Sequence, residues 1–353
     1  MSSPRKIITV FGANGNQGSG VINIVLQMQS LSDKYIVRAV TRDPSSAKAQ
    51  TLVARGAEVA SGDLNSADSL KAAVRGSYGV FAMTDFWSIH SYDVEVQQGK
   101  NIFEACKAEG VQHLIYSSLP HATRMTRGVL PHLAHYDSKA TVQAYMDANK
   151  GDMYTSFFRP GMFLSFLPNL LRKTADGTPI LILPLSSDST PWPMVDPPRD
   201  GGKYIMGLFE AGSKANGVTL NCVSSWTNAR EIVQTLEKVS GREVLLKNVS
   251  QQEFEADYPE NIAEQLTETL RVAGEFSIFG PGAKVLQPAF DQWLVEGSEK
   301  PISLEQWINE NGPWNFEGTT FLDNLAAQKT KHFETVGEQQ AEETSAQREA
   351  IAT

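Results

Sequence analysis

Six short runs rich in β-branched residues recur through the first 160 residues: KIITVFG, YIVRAVT, AEVASG, YGVFAMT, VQHLIYSS and YTSFFRP. Stretches with helical periodicity separate them. The clearest is YDVEVQQGKNIFEACKAEG, where Val94, Ile102, Phe103 and Ala105 sit at helix-compatible spacing ahead of a closing Gly110. Near-continuously apolar strands that alternate with helices need a parallel sheet covered on both faces. Right-handed crossovers then wind that sheet in both directions from its middle. The expected fold class is α/β, a Rossmann-type doubly wound parallel sheet.

The alternation stops near residue 160. LILPLSSDSTPWPMVDPPRDGGK is too rich in Pro, Ser and Asp to be regular throughout. Helix candidates (YIMGLFEAG, TNAREIVQTLEKVSG) and strand candidates (GVTLNCVSS, REVLLKNVS) follow it. The expected organisation is a nucleotide-binding domain over 1–160 and a smaller, less regular lobe over 161–328, with some segments returning to the sheet. The polar, acidic stretch 329–353 reads as a disordered tail. No internal repeat is apparent. No apolar run nears the ~18–20 residues of a membrane span, and MSSPRK leads into the first strand with no apolar signal region. A net charge of −9 argues against a nucleic-acid surface. The two cysteines, Cys106 and Cys222, are far apart and outside CxxC spacing, which argues against a disulfide scaffold and against a Cys-rich zinc site. They read as reduced thiols packed as small hydrophobes, and no metal is expected.

FGANGNQGS follows the first strand, with glycines at 12, 15 and 18. In a doubly wound fold the first strand–turn–helix can hold a dinucleotide pyrophosphate. One glycine allows the tight turn, another lets backbone approach phosphate, and a third lets the helix pack on its strand. Gly12, Gly15 and Gly18 suit those tasks, with Asn14, Asn16 and Gln17 adding polar groups. The spacing is GxxGxxG, not the GxGxxG of the standard fingerprint. At the end of the second strand, RAVTRDP puts Thr41 and Arg42 where an NAD site carries an acid. A guanidinium pairs with a 2′-phosphate where a carboxylate would repel it, so NADP(H) is the expected cofactor. Lys48 could add charge. Asp43 is placed in a turn by the proline after it.

TVFGANGNQGSGV, VRAVTRDP, GAEVASGDL, VFAMTDFW, EVQQGKNIFEACKAEGVQHLIYSSL and HYDSK, in that order, resemble the NmrA-like family of atypical short-chain dehydrogenase/reductases. The likeness continues to LEQWINENGPWNF, so it covers the chain to about residue 317. It implies NADP(H) in a cleft between a Rossmann domain and a small lobe. By motif, Gly12, Asn14, Gly15, Asn16, Gln17 and Gly18 form the pyrophosphate loop, and Arg42 reads the 2′-phosphate. Asp63 and Leu64 lie near the adenine. Thr84, Asp85 and Phe86 line the ribose and nicotinamide side. Lys139 is the cleft lysine, and Gly161, Met162, Phe163 and Leu164 close over the nicotinamide. Gln97 stands where the family often has lysine, so a cofactor contact from that position is not carried over.

Catalytic short-chain reductases use Tyr-x-x-x-Lys, in which the lysine orients the ribose and lowers the tyrosine pKa. Here His135 lies four before Lys139 and Tyr136 three before it, so either could share its helix face. His135 is a candidate proton donor near neutral pH, Tyr136 is the alternative, and Ser118 (or Ser117) could polarise a substrate. His121 and Arg159 read as a loop histidine and as a strand-end charge able to serve the cleft or an ion pair. Phe86, Trp87, Met162 and Phe163 make a largely apolar pocket. Two functions follow. One is an NADPH-dependent oxidoreductase acting on an apolar carbonyl, quinone or imine. The other is a non-catalytic NADP(H) redox sensor or transcriptional co-regulator that acts through a regulatory protein partner. Sugar-nucleotide epimerase chemistry is disfavoured because the YxxxK spacing is missing. A cytoplasmic protein, nuclear as well under the regulatory reading, is expected, with a homodimer open.

Overall fold

The computed structural model describes residues 4–185, 187–312 and 314; the acidic tail expected over 329–353 lies outside the described residues. The six β-branched runs form parallel strands of one sheet: β1 (Lys6–Val10), β2 (Tyr35–Thr41), β3 (Glu58–Ser61), β4 (Gly79–Ala82), β5 (His113–Ser117) and β6 (Tyr154–Pro160). A seventh strand, Thr219–Cys222, comes from the second half and pairs in parallel with β6, Leu220 opposite Phe158. From one edge the order is Thr219–Cys222, β6, β5, β4, β1, β2, β3. Strand order reverses between β1 and β4. The crevice outside their carboxyl ends is where doubly wound folds hold ligands.

The period of two along each strand feeds two cores. On β5, Ile115 packs on one face while Leu114 and Tyr116 pack on the other. One face is covered by Val21, Ile22 and Val25 of helix Asn16–Gln27 and by Tyr204, Ile205 and Phe209 of helix Gly202–Ala211. Those two helices cross almost backbone to backbone. A Cβ on Gly20 would lie 2.3 Å from the Pro197 carbonyl oxygen, and one on Gly202 would lie 2.1 Å from that of Gly20. The other face is covered by Phe103 and Cys106 of helix Tyr92–Ala108 and by Val142 and Met146 of helix Ala134–Asn149. Phe103 is fully buried, so Phe103→Ala should cost about 3–5 kcal/mol.

The remaining segments build a lobe at the carboxyl edge of the sheet. Met162–Phe163, Trp192–Val195 and Ser225–Thr227 form one three-stranded sheet, and Leu171–Lys173, Pro179–Leu183 and Leu245–Asn248 form another. Its core includes Leu164, Leu181, Trp192, Ile232, Leu266 and Trp307. Helices Ala229–Ser240 and Glu260–Arg271 cover it. The Pro-rich stretch begins at the end of strand Pro179–Leu183 and runs into helix Gly202–Ala211; between them its regular pieces among the described residues are Trp192–Val195 and one wide turn over Pro197–Gly201. Cys106 and Cys222 are free and buried, with burial pushing both thiols up. Among the described residues, no helix is long and apolar enough to cross a membrane.

Candidate functional site

The loop after β1 turns on Gly12, whose φ of 65° favours glycine. The Gly15 N–H donates to the Gly12 carbonyl at 2.8 Å, closing the turn. A Cβ on Gly12 would lie 2.6 Å from Met83 Sδ, and one on Gly18 would lie 2.3 Å from the Gly12 oxygen. Two of the three glycines are therefore fixed by close approach. Gly15 is different: its backbone is extended, and it starts helix Asn16–Gln27 with no side chain bonded to the first amides. The positive end of the helix dipole thus begins at exposed Asn14, Gly15 and Asn16, while Gln17 and Gly18 are buried. The Gln17 amide oxygen accepts from Ser117 Oγ at 2.6 Å, tying β5 to the loop.

Arg42 is exposed at the end of β2, and among the described residues it has no ion pair. Asp43 is committed to its own turn. Its carboxylate accepts from the Ser45 N–H at 2.8 Å and from Ser45 Oγ at 2.6 Å, which lowers its pKa. Lys48 is exposed on helix Ala47–Ala54. Asp63 Oδ1 accepts from the Asn65 N–H at 2.9 Å, and the Leu64 carbonyl accepts from Asn101 Nδ2 at 2.9 Å. That pins the loop after β3 to helix Tyr92–Ala108. Asp85 is exposed ahead of the short helix Phe86–Ile89. Gln97 is exposed and bonds Asn101 on its own helix at 2.7 Å.

The least anticipated feature is Glu95, which is wholly buried. It forms an ion pair with Lys139 Nζ, accepts from Ser138 Oγ, and accepts from Thr84 Oγ1 at 2.8 Å. Tyr116 OH lies 3.3 Å from the Thr84 hydroxyl. Thr84, expected to line the ribose side, is 2 % exposed and turns its hydroxyl to this carboxylate instead. Lys139 reaches the hub from helix Ala134–Asn149, its side chain 10 % exposed.

His135 sits one turn before Lys139 in an aromatic setting, with Trp87, Phe86 and Tyr136 ring centroids 5.0, 5.7 and 4.8 Å away. Desolvation first, then the Lys139 charge, push its pKa down to about 3, while Gln265 from helix Glu260–Arg271 works weakly the other way. Desolvation therefore favours the uncharged imidazole at neutral pH, a ring that keeps one N–H to donate but is a much weaker acid than imidazolium. Tyr136, the alternative donor, packs in the lobe core with Leu133 and Met162, and burial raises its pKa. Ser118, expected beside the substrate, is fully buried and donates to Gln143 Oε1 at 2.8 Å. The same oxygen accepts from Arg159 at 3.0 Å, and desolvation lowers that guanidinium to about 10. His121 Nδ1 lies 2.8 Å from Asp137 Oδ1.

Gly161 passes close under the Pro193 carbonyl, where a Cβ would lie 2.4 Å from its oxygen. Met162 and Phe163 then pair with Met194 and Val195, and Leu164 enters the lobe core. Phe163 and Met83 both pack on the core under the glycine loop. The GMFL segment thus joins the lobe to the sheet edge. On the lobe, His132 Nδ1 lies 2.8 Å from Glu268 Oε1 and 3.0 Å from Glu264 Oε1. These three offer donor atoms within 4.8 Å of one another, and hydrogen bonding to Glu268 raises the His132 pKa.

Glu95, Gln143, Gln265 and Met83 do not stand out in the sequence as site residues. Glu95 lay within EVQQGK, where a wholly buried carboxylate would have needed a cationic partner, but that partner is far along the chain.

Residues 4–308 match the NmrA-like family. Over 267 residues the chain is 27% identical to the NmrA-like family domain-containing oxidoreductase ptmS of Penicillium ochrochloron, covering 70% of this chain and 77% of that protein. Its fold resembles that of NmrA, a negative transcriptional regulator solved in complex with NADP (TM-score 0.66, 21% identity, 92% of this chain and 98% of that one). It also resembles the NADPH-dependent quinone oxidoreductase QOR2 of Escherichia coli, solved with NADPH (TM-score 0.66, 22% identity, 86% and 99%).

Proposed function

The chain belongs to the NmrA-like family, and we propose that it is an NADPH-dependent oxidoreductase acting on an apolar, conjugated acceptor. The observation that carries this reading is the loop after β1. Its helix begins with uncapped amides, Gly12 holds a left-handed φ of 65° against Met83, and Gly18 meets the Gly12 backbone too closely for a side chain. That cradle fits a pyrophosphate. Arg42, without an ion pair among the described residues, fits a 2′-phosphate, whereas Asp43 is withheld from a ribose by Ser45. When bound, NADPH would supply hydride. The chain's own residues hold its phosphates at the loop, present the Lys139 ammonium on the ribose side, and keep water out with Phe86, Trp87 and uncharged His135.

The same geometry narrows the acceptor. Desolvation disfavours a protonated His135, Tyr136 is packed in the lobe core, Ser118 is bonded to Gln143, and Lys139 is paired with Glu95 and taken here to serve the ribose. An unactivated ketone needs an acid as hydride arrives. A quinone does not, because its oxyanion product is a weak base that water can protonate later. A protonated imine already carries its proton. Quinones and imines are therefore the preferred substrates. The relatives named as oxidoreductases support the reaction class, as does QOR2 through its quinone substrate.

The test is NADPH consumption, with NADH as control, against quinones, cyclic imines and simple ketones. Turnover of quinone or imine that disappears in Lys139→Ala, with ketones inert, is the expected result. Equal ketone turnover would overturn the argument from the missing acid. The shortage of acids also favours a second reading, a sensor whose nucleotide occupancy changes affinity for a protein partner. Tight NADPH binding with no turnover on any acceptor would select it.

A further inference from the structure

We infer that Glu95 is the positioning residue for Lys139, holding its ammonium in place at the cleft before a nucleotide arrives. The inference rests on the reading of Lys139 as a cofactor-side group. It starts from a helix crossing. Helices Tyr92–Ala108 and Ala134–Asn149 touch at Gly99, where a Cβ would lie 2.6 Å from both Val142 methyl carbons. Glu95 is one turn before Gly99, and Ser138 and Lys139 are one turn before Val142. The close approach of the two backbones therefore drives a carboxylate against a hydroxyl and an ammonium.

The hub is built to hold a charge. Thr84, Ser138 and Lys139 all donate to Glu95, which has no exposure to water. A carboxylate with three donors has its orientation fixed, and Thr84 and Tyr116 anchor it to the ends of β4 and β5 beside the crevice. Among the described residues, Lys139 Nζ has one hydrogen-bond partner, Glu95. An ammonium has three donors, so two remain for other partners. A lysine side chain also loses rotamer entropy when it is fixed. Prior fixing by Glu95 removes that loss from the binding step. The other ionisable groups in the neighbourhood are His135, which feels the lysine's charge, and Tyr116, which feels the carboxylate. A tie that only joined two helices would need no ions, since apolar replacements of buried pairs are often neutral or stabilising.

The experiment is a fluorescence titration of the full chain with NADPH, alongside thermal melts, for the wild type, Glu95→Gln, Lys139→Met and the double variant. Each single change should weaken NADPH by about tenfold, the scale of one lost bond to a charged group. The double variant should bind within about twofold of Lys139→Met, because two residues acting as one unit are not additive. It should also melt above Glu95→Gln, whose buried ammonium has lost its counter-charge. Glu95→Asp should recover part of the affinity. An unchanged affinity in Glu95→Gln, or losses that multiply in the double variant, would overturn the inference. If Glu95→Gln does not fold, Ser138→Ala removes one donor without changing charge. It should weaken NADPH by about twofold or more on the same scale, and no change would overturn the inference too. Wild-type protein that does not bind NADPH removes the cofactor reading itself. Binding that Lys139→Met leaves intact removes only the role given to Lys139.

Discussion

Gly15 and Gly18 lie three residues apart in one loop, yet substitution should act on them through different physics. A Cβ at Gly18 would lie 2.3 Å from the Gly12 oxygen, 2.6 Å from the Gly12 carbonyl carbon and 2.9 Å from the Ala13 nitrogen. All three are backbone atoms, so no side chain can swing aside, and the helix must lift off the turn by about 1 Å to restore ordinary contact. Overpacking of this kind costs about 1–3 kcal/mol, with or without ligand. A Cβ at Gly15 would meet only the Gly12 oxygen, at 3.3 Å, and the backbone there is already extended (φ −92°, ψ 177°). Gly15→Ala should therefore cost about 1 kcal/mol or less, the scale of an N-cap change. Its methyl group would instead stand where phosphate must approach the amides. Thermal melts without ligand, paired with NADPH titrations, separate the two. Gly18→Ala should melt several degrees lower and bind weakly, whereas Gly15→Ala should melt close to wild type and still lose about tenfold or more in affinity. Wild-type affinity in Gly15→Ala would refute the pyrophosphate assignment. An unchanged melt for Gly18→Ala would refute the packing argument.

Arg42→Glu should weaken NADPH by about tenfold to a hundredfold, the scale of lost charge-assisted bonds, and leave NADH binding near wild type; equal losses for both would remove the 2′-phosphate assignment. Protonation of buried histidines should limit acid stability. His135 is lowered from 6.5 to about 3 and His113 to about 4, both by desolvation first. The unfolded chain then takes up protons near pH 6.5 that the folded chain refuses, so stability falls as pH drops from about 6.5 toward 4. Each group contributes about 2 kcal/mol of that loss by pH 5. His132, with its pKa raised by Glu268, acts in the opposite sense, but it is half exposed and contributes little. Urea midpoints at pH 7.5 and 5 check this, and a constant midpoint would show those histidines to be solvated. Gly20→Ala should destabilise the chain by about 1–3 kcal/mol in melts, because its Cβ would meet the Pro197 carbonyl at 2.3 Å.

The sheet was legible because each strand carries its own signal. Apolar runs such as IITV, GVFA and HLIYS need burial on both faces, and the helices between them show period 3.6. The lobe was less legible, since its strands are two to five residues long and find partners far away, as Trp192–Val195 does with Met162–Phe163 and Ser225–Thr227. Gly20 shows the limit well. It sits beside the glycine motif, but its reason is the backbone at Pro197 and Gly202, which no local pattern reveals.

The chemistry was legible as residue types and spacing but not as charge states. HYDSK puts His135 and Lys139 one turn apart, a spacing that serves proton transfer when both groups are polar and wet. Burial decides otherwise here: the imidazole lies among Phe86, Trp87 and Tyr136, and desolvation keeps it neutral. Lys139 keeps a counter-ion only because Gly99 lets a second helix bring Glu95 within reach. Acid strength in this cleft is thus set by rings after β4 and by a helix crossing, neither of which lies within the motif. A HxxxK pair with the rings replaced by polar residues would regain an acid. Phe86→Ser with Trp87→Ser should therefore raise the His135 pKa toward 6.5, readable by NMR titration of its ring protons. A His135 that stayed neutral well below pH 5 in that variant would show that the two rings after β4 do not set its state.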